Sequence, residues 1–275
     1  MRPIGPGTLT LLGWRGTLWR GDAPLPGADA LLRTLRRREA PLLVITNDTA
    51  QGPAGHAADA AREGLALEAS DFLTASAMAI TRIKVRYPGA PVLVVGTESL
   101  EEECREAGIE PPGRLPGEPV VLLGRSPRID SERVFEAVEQ VRHGAPFFAT
   151  HLDRTHPTAT GAEPDCGSLV AFFEAATGRL PAVFGKPDSR VVDLALGLAG
   201  FCSRREALVI GFDGSGDGPS GGGFRDRDRR GPGSRPKSDG QGPGHPGRPH
   251  RRRRGVPVVA RRPLCYPPTA KLKLP

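Results

Sequence analysis

Three residues of this chain have the types and placement to hold an anionic oxygen: Thr46, Asn47 and Lys186. Thr46 offers a hydroxyl and Asn47 a backbone N–H, and Lys186 brings a compact positive charge to the same anion. Converging at one edge of a sheet, they would make a phosphate site. Taken singly, Thr46-Asn47 reads as a helix cap and Gly185-Lys186-Pro187 as a turn; their order and spacing make them a set. A further loop, Gly13-Trp14-Arg15-Gly16-Thr17, offers no nucleophile, no acid or base and no carboxylate for a metal. Arginine keeps its proton at neutral pH and cannot pass one on. His151, Asp153 and His156 put metal-type side chains close together; a polar loop after a strand explains them equally well.

The elements that must position these loops follow from apolar patterning. Thr8-Leu9-Thr10-Leu11-Leu12 is a short apolar run that ends at Gly13, and Pro41-Leu42-Leu43-Val44-Ile45 is another that ends at Thr46. Between them, Asp22 to Ala28 has turn chemistry and residues 29–38 have a helical pattern. Strand, helix and strand within about 40 residues is a βαβ unit, which implies a parallel sheet with its functional edge at Gly13 and Thr46. Thr49 and its neighbours suit a loop, and Asp48 a helix cap. An alanine-rich helix over about 54–64 and a second, opened by residues 71–76 and reaching Tyr87, come next.

The alternation then starts afresh, with strands at Val92–Gly96, Pro119–Gly124 and Pro146–Thr150 and helices at 99–107, 131–142 and 167–177. Residues 76–180 therefore read as a second α/β unit inserted into the first, which occupies 1–75 and 181–212. The first unit resumes with Ala182-Val183-Phe184, followed by a helix over 189–198 and a strand at Ala207–Gly211.

From Asp213 to Pro275 the pattern stops. Glycine and proline make up 24 of these 63 residues, and basic side chains outnumber acidic ones 15 to 5, a net of +10. The rest of the chain carries 23 basic and 26 acidic side chains, a net of −3, so the basic character belongs to the tail. Such a composition cannot bury enough apolar surface to offset ordering, and disorder is expected over 213–275. A shifted reading frame in a GC-rich gene would produce the same abrupt change of composition. Arg251–Arg254 could neutralise phosphates of a nucleic acid, but no aromatic interleaving accompanies them, so stacking on bases is not expected.

The four cysteines, Cys104, Cys166, Cys202 and Cys265, form no C-x-x-C pair, which fits reduced thiols in a cytoplasmic protein. No apolar run reaches membrane-spanning length, so no membrane partner is expected.

Taken in order, Gly16-Thr17-Leu18 with Pro24–Ala28, Val44-Ile45-Thr46-Asn47, Ala149-Thr150-His151-Leu152-Asp153, Gly167-Ser168-Leu169 and Phe184-Gly185-Lys186-Pro187 resemble the haloacid dehalogenase (HAD) superfamily. Within it the likeness is to the NagD-type phosphatases, and it covers residues 9–211. The resemblance implies an α/β fold with a Rossmannoid parallel-sheet core and an inserted α/β cap domain. It also implies Mg²⁺, a small phosphorylated metabolite as substrate, phosphoryl transfer through an aspartyl-phosphate and a homo-oligomer formed through the cap. Thr46, Asn47 and Lys186 match the phosphate-binding positions, and His151 and Asp153 fall where the cap meets substrate.

The family's nucleophile and acid/base aspartates fall at Gly13 and Arg15, which do neither task. Of the metal carboxylates, Asp213 and Asp217 are displaced from the family pattern, and Asp213 is the candidate metal ligand. The expectation is a phosphatase-like protein with impaired hydrolysis. The alternatives are a non-catalytic protein that binds a phospho-ligand or partner, and nucleic-acid binding through the tail.

Overall fold

A computed structural model describes residues 4–113, 118–158, 161–186 and 188–211. The tail from Asp213, with Asp217, Arg251–Arg254 and Cys265, lies outside the described residues. So does the sequence-based expectation of disorder there. Among the described residues, twelve strands and seven α-helices run in the order β1 (Leu9–Gly13), β2 (Trp19–Arg20), β3 (Ala23–Pro24), α1 (Ala28–Arg37), β4 (Leu42–Thr46), α2 (Pro53–Arg62), β5 (Phe72–Thr74) and α3 (Ala75–Arg86). They continue with β6 (Val92–Val95), α4 (Glu98–Glu106), β7 (Val120–Leu123), α5 (Ser131–Arg142), β8 (Phe147–Ala149), β9 (Thr155–Thr158), β10 (Gly161–Pro164), α6 (Cys166–Thr177), β11 (Ala182–Val183), α7 (Arg190–Leu198) and β12 (Ala207–Ile210).

Two parallel four-stranded sheets carry the fold, one ordered β12-β1-β4-β5 and the other β11-β8-β7-β6. Both are covered on their two faces, which is why their strands read as continuous apolar runs. Alternate residues go to opposite sides. Leu9 and Leu11 join a cluster with Met78 and Val191, while Leu12 joins Leu32, Leu35 and Phe72. In the second sheet Val92 and Val94 face one cluster and Leu93 and Val95 the other.

Helix α1 shows how locally consistent the sequence is. It buries Ala28, Leu32 and Leu35 on one stripe, with Asp29 in its first turn and Arg36 and Arg37 in its last, which suits the helix dipole. Gly27 turns the chain into it at φ +88°. Helix α3 ties the sheets together, since Ala75 and Met78 pack with the first and Ala79, Ile80 and Ile83 with the second.

The structure corrects two sequence expectations. Phe72–Thr74, expected to open a helix, is strand β5 on the edge of the first sheet, and the Thr74 hydroxyl then caps α3 by accepting from the Ala77 N–H. Ala182–Val183, expected to resume the first unit, pairs with Phe148 and Ala149 in the second sheet. The chain returns toward the first sheet only at Phe184, which packs with the clusters of both sheets. Two short hairpins, β2–β3 and β9–β10, form where the sequence carries only turn and loop signals. No helix among the described residues is long and apolar enough to cross a membrane.

Candidate functional site

Strands β1 and β4 are adjacent and in register, with Gly13 opposite Ile45, so the loops after them lie side by side. The loop after β1 is tightly closed. The Trp14 carbonyl accepts from the Leu18 and Trp19 N–H groups, and Gly16 sits at φ +79°, a conformation glycine adopts without strain. Trp14 is fully buried between Trp19, Phe72 and His56, which anchors the loop from beneath. Gly13 has no side chain, and a Cβ built there would lie 2.7 Å from the Thr17 Oγ1.

Arg15 leaves this loop and meets the loop after β4. Its Nε and Nη2 both lie 2.7 Å from the Asp48 Oδ2. Asp48 is buried, and its other oxygen accepts from the Ala50 N–H at 3.1 Å. Burial would raise the Asp48 carboxyl above its ordinary pKa, but the Arg15 guanidinium, with help from His56 and the Ala50 N–H, more than reverses this and holds it below. The sequence reading of Asp48 as a helix cap is corrected here. Helix α2 begins after Gly52 with no side-chain cap, and Asp48 is the counter-ion of Arg15.

His56 braces the same loop from behind. Gln51 Nε2 lies 3.2 Å from its Nδ1, and its Nε2 lies 3.0 Å from the Asp48 carbonyl. With the amide as donor to Nδ1, the Nε2–H donates to the carbonyl. Burial pushes the pKa of this imidazole down, with Asp48 acting in the opposite direction.

Thr46, Asn47 and Lys186, the residues expected to hold an anion, are brought together through the Lys186 main chain, though not as the sequence alone suggests. Thr46 Oγ1 accepts from the Asp48 N–H at 3.0 Å and keeps its own proton to donate. Asn47 acts through its side chain: Oδ1 accepts from the Lys186 N–H at 2.8 Å, while Nδ2 donates to the Lys186 carbonyl and to the Asp153 Oδ2, each at 3.0 Å. It clamps the Lys186 loop and the Asp153 loop onto the end of β4. Burial strips water from the Lys186 ammonium and lowers its pKa, with Asp153 acting in the opposite direction.

Gly185 is where this clamp is tightest. A Cβ there would fall 2.5 Å from the Asn47 Oδ1 and 2.7 Å from the Thr150 carbonyl oxygen. Gly185→Ala is therefore expected to cost about 1–3 kcal/mol, as overpacking does, measured by chemical denaturation. A variant as stable as the wild type would show that the clamp yields freely.

On the cap side His151 is buried, with its Nδ1 accepting from the Asp153 N–H at 3.3 Å, which leaves the proton on Nε2. That Nε2 lies 3.7 Å from Asp165 and makes no hydrogen bond among the described residues. Asp165 caps α6 through the Cys166 N–H, and burial raises its pKa. His156 lies 3.9 Å from Asp165, and Arg125 reaches from the loop after β7 to Glu163 at 2.9 Å. Asp48, Asp165 and Arg125 had no signal of proximity in the sequence beyond their charge.

Magnesium needs hard oxygen donors, chiefly carboxylates. Gly13 supplies none, the guanidinium of Arg15 stands against Asp48, and among the described residues no three His, Cys, Asp or Glu side chains converge as a metal-ligand group. Asp213 lies outside the described residues. The residues present at this loop do not fit a divalent cation.

Comparison with known proteins bears on the family and the fold. A family model described as haloacid dehalogenase-like hydrolase matches residues 10–110. D-glycerol 3-phosphate phosphatase of Mycobacterium tuberculosis is 34% identical over 198 residues, which cover 71% of this chain and 54% of that protein. A glycerol phosphate phosphatase of that organism has been solved in complex with magnesium. Chronophin of Bos taurus is 32% identical over 199 residues, 67% of each chain. The NagD structure of E. coli superposes with a TM-score of 0.67 at 27% identity, covering 74% of this chain and 78% of that one. The chain thus spans between about half and two thirds of the length of these curated relatives. The loop order, the two parallel sheets and these likenesses together place the chain in the haloacid dehalogenase superfamily, in its NagD-type branch.

Proposed function

We propose that this chain binds a small phosphorylated metabolite at the Thr46, Asn47 and Lys186 edge, and that it does not hydrolyse it through an aspartyl-phosphate. The observation that carries this reading is the Arg15–Asp48 ion pair, 2.7 Å long, next to a glycine where the family's nucleophile stands. A carboxylate nucleophile attacks phosphorus and forms a hydrolysable acyl phosphate. Gly13 has no atom to do so, and Arg15 cannot relay the proton to a leaving group. What remains supports recognition: a hydroxyl with its proton free to donate, a desolvated lysine, and an asparagine that fixes the lysine's loop.

The relatives' phosphatase activities motivate the choice of ligand class. The test is turnover of 4-nitrophenyl phosphate with magnesium, comparing the wild type with Gly13→Asp/Arg15→Asp. The wild type is expected to show no release of nitrophenol above background. In the double variant the side chain introduced in place of Gly13 would require Thr17 to rotate aside. Wild-type turnover that disappears in Lys186→Ala would overturn the proposal.

A further inference from the structure

The misfit between this loop and a divalent metal points to how the ligand would be held. We infer that Arg15 takes over the electrostatic task of the cation, so that this chain binds phosphate without a metal. The inference rests on the phosphate-pocket reading above and adds the charge that completes the pocket.

Arg15 is built for the role by its surroundings. Asp48 engages only the Nε and Nη2 edge, and does so through a single oxygen, Oδ2. Among the described residues the third nitrogen, Nη1, has only the Gly21 carbonyl at 3.4 Å, a long contact for a hydrogen bond. The side chain keeps about a third of its surface open, while Asp48 beneath it is nearly closed to solvent. The carboxylate therefore fixes the guanidinium plane through one edge and leaves Nη1, with no close acceptor among the described residues, to donate to an oxyanion. A guanidinium matches phosphate geometry with paired N–H donors and stays charged at every working pH. It also repels a cation from the same loop.

The charges are arranged for an anion on the second loop as well. Lys186 is opposed by Asp153, but Asp153 also accepts from Asn47 Nδ2, so its negative charge is shared. Thr46 and Asp48 are two residues apart on one loop, and that loop joins Arg15 on one side to the Lys186 main chain on the other through Asn47. A phosphate lodged at this edge would meet positive charge from both β1 and β11 ends of the site.

The experiment is calorimetric titration of the full chain with inorganic phosphate, once with excess EDTA and once with excess magnesium chloride. The wild type is expected to give the same affinity in both, within about twofold, and magnesium alone to give no saturable heat. Arg15→Gln is expected to weaken phosphate about tenfold or more in both buffers, in line with loss of a charge-assisted contact. Because that variant leaves Asp48 unpaired, Arg15→Gln/Asp48→Asn is titrated beside it; both charges are then gone, and the same loss is expected from a protein without a buried orphan charge. Binding that requires magnesium, or that is unchanged in both Arg15 variants while falling in Lys186→Gln, would overturn this inference and leave the pocket reading standing. No phosphate binding in either buffer would remove the pocket reading and this inference with it.

Discussion

Replacing Arg15 with methionine is expected to lower the unfolding free energy by about 2–3 kcal/mol at about pH 8, and by progressively less as the solution is acidified toward about pH 4. The size follows from what is left behind. The Asp48 side chain is 3% exposed, and without Arg15 its charge keeps only the Ala50 N–H and the polarity of His56. Removing one partner of a fully buried pair costs about 3–5 kcal/mol, and the open third of Arg15 brings the expected loss just below that range. In a fold of this size the loss corresponds to about 5–10 °C in the melting midpoint.

The pH dependence gives the prediction its edge. In the wild type the folded pKa of Asp48 lies below its unfolded value, so the pair's contribution is present above the unfolded pKa and is lost as pH falls through the folded one. In the variant, burial is left as the dominant influence and the folded pKa rises above the unfolded value. The penalty is then full at high pH and disappears as the carboxyl takes up a proton. Denaturant melts at several pH values should show the two stability curves converging on the acid side. Curves that stay parallel would mean that the side-chain packing of Arg15, and not its charge, is what matters.

Much of this architecture is legible because two-sided burial writes itself into sequence. Residues 42–45, Val92–Val95 and Val120–Leu123 are unbroken apolar runs, and each lies in a parallel strand with most of its side chains buried. Phe72–Thr74 is hard to see because the strand runs directly into Thr74, whose hydroxyl caps α3, and no glycine or proline separates strand from helix. Ala182–Val183 falls to the wrong sheet in the sequence because pairing is a non-local choice; only the contact with Phe148 and Ala149 decides it.

The site divides in the same way. Gly13, Thr46 and Lys186 are visible as loop chemistry at strand ends. The Arg15–Asp48 pair joins residues 33 apart, and Asp48, following Thr46-Asn47, has the local look of a cap. The sequence suggests the backbone of Asn47 as its useful part, whereas its side chain is the clamp that joins three loops. Such roles depend on what a side chain meets across the fold, which no sequence window contains.

Glu103→Gln is expected to stabilise the protein by about 2 kcal/mol at about pH 8 and to give no gain at about pH 4. Glu103 lies on α4, buried against the start of α3 and close to Gly52 at the start of α2. Ser76 donates to its Oε2 at 2.8 Å, and Oε1 has no hydrogen-bond partner among the described residues. Burial pushes its pKa to about 7, against the pull of the Ser76 hydroxyl and with a small push from Glu106. An acid whose folded pKa exceeds its unfolded value destabilises the fold once the unfolded chain ionises, beginning near the ordinary carboxyl range and levelling off above about pH 7. The gap to the ordinary value amounts to about 3 kcal/mol. Glutamine never ionises, but its amide places an N–H where Oε1 is unpartnered, which takes back about 1 kcal/mol. The same unsatisfied amide removes any advantage in acid, where the native carboxyl is already neutral. A stability difference between the two proteins that does not change with pH would show that Glu103 is not the group whose ionisation strains this junction. Glu106→Gln supplies an internal check: with that neighbouring charge gone, stability at neutral pH should rise slightly, without the full gain that Glu103→Gln gives.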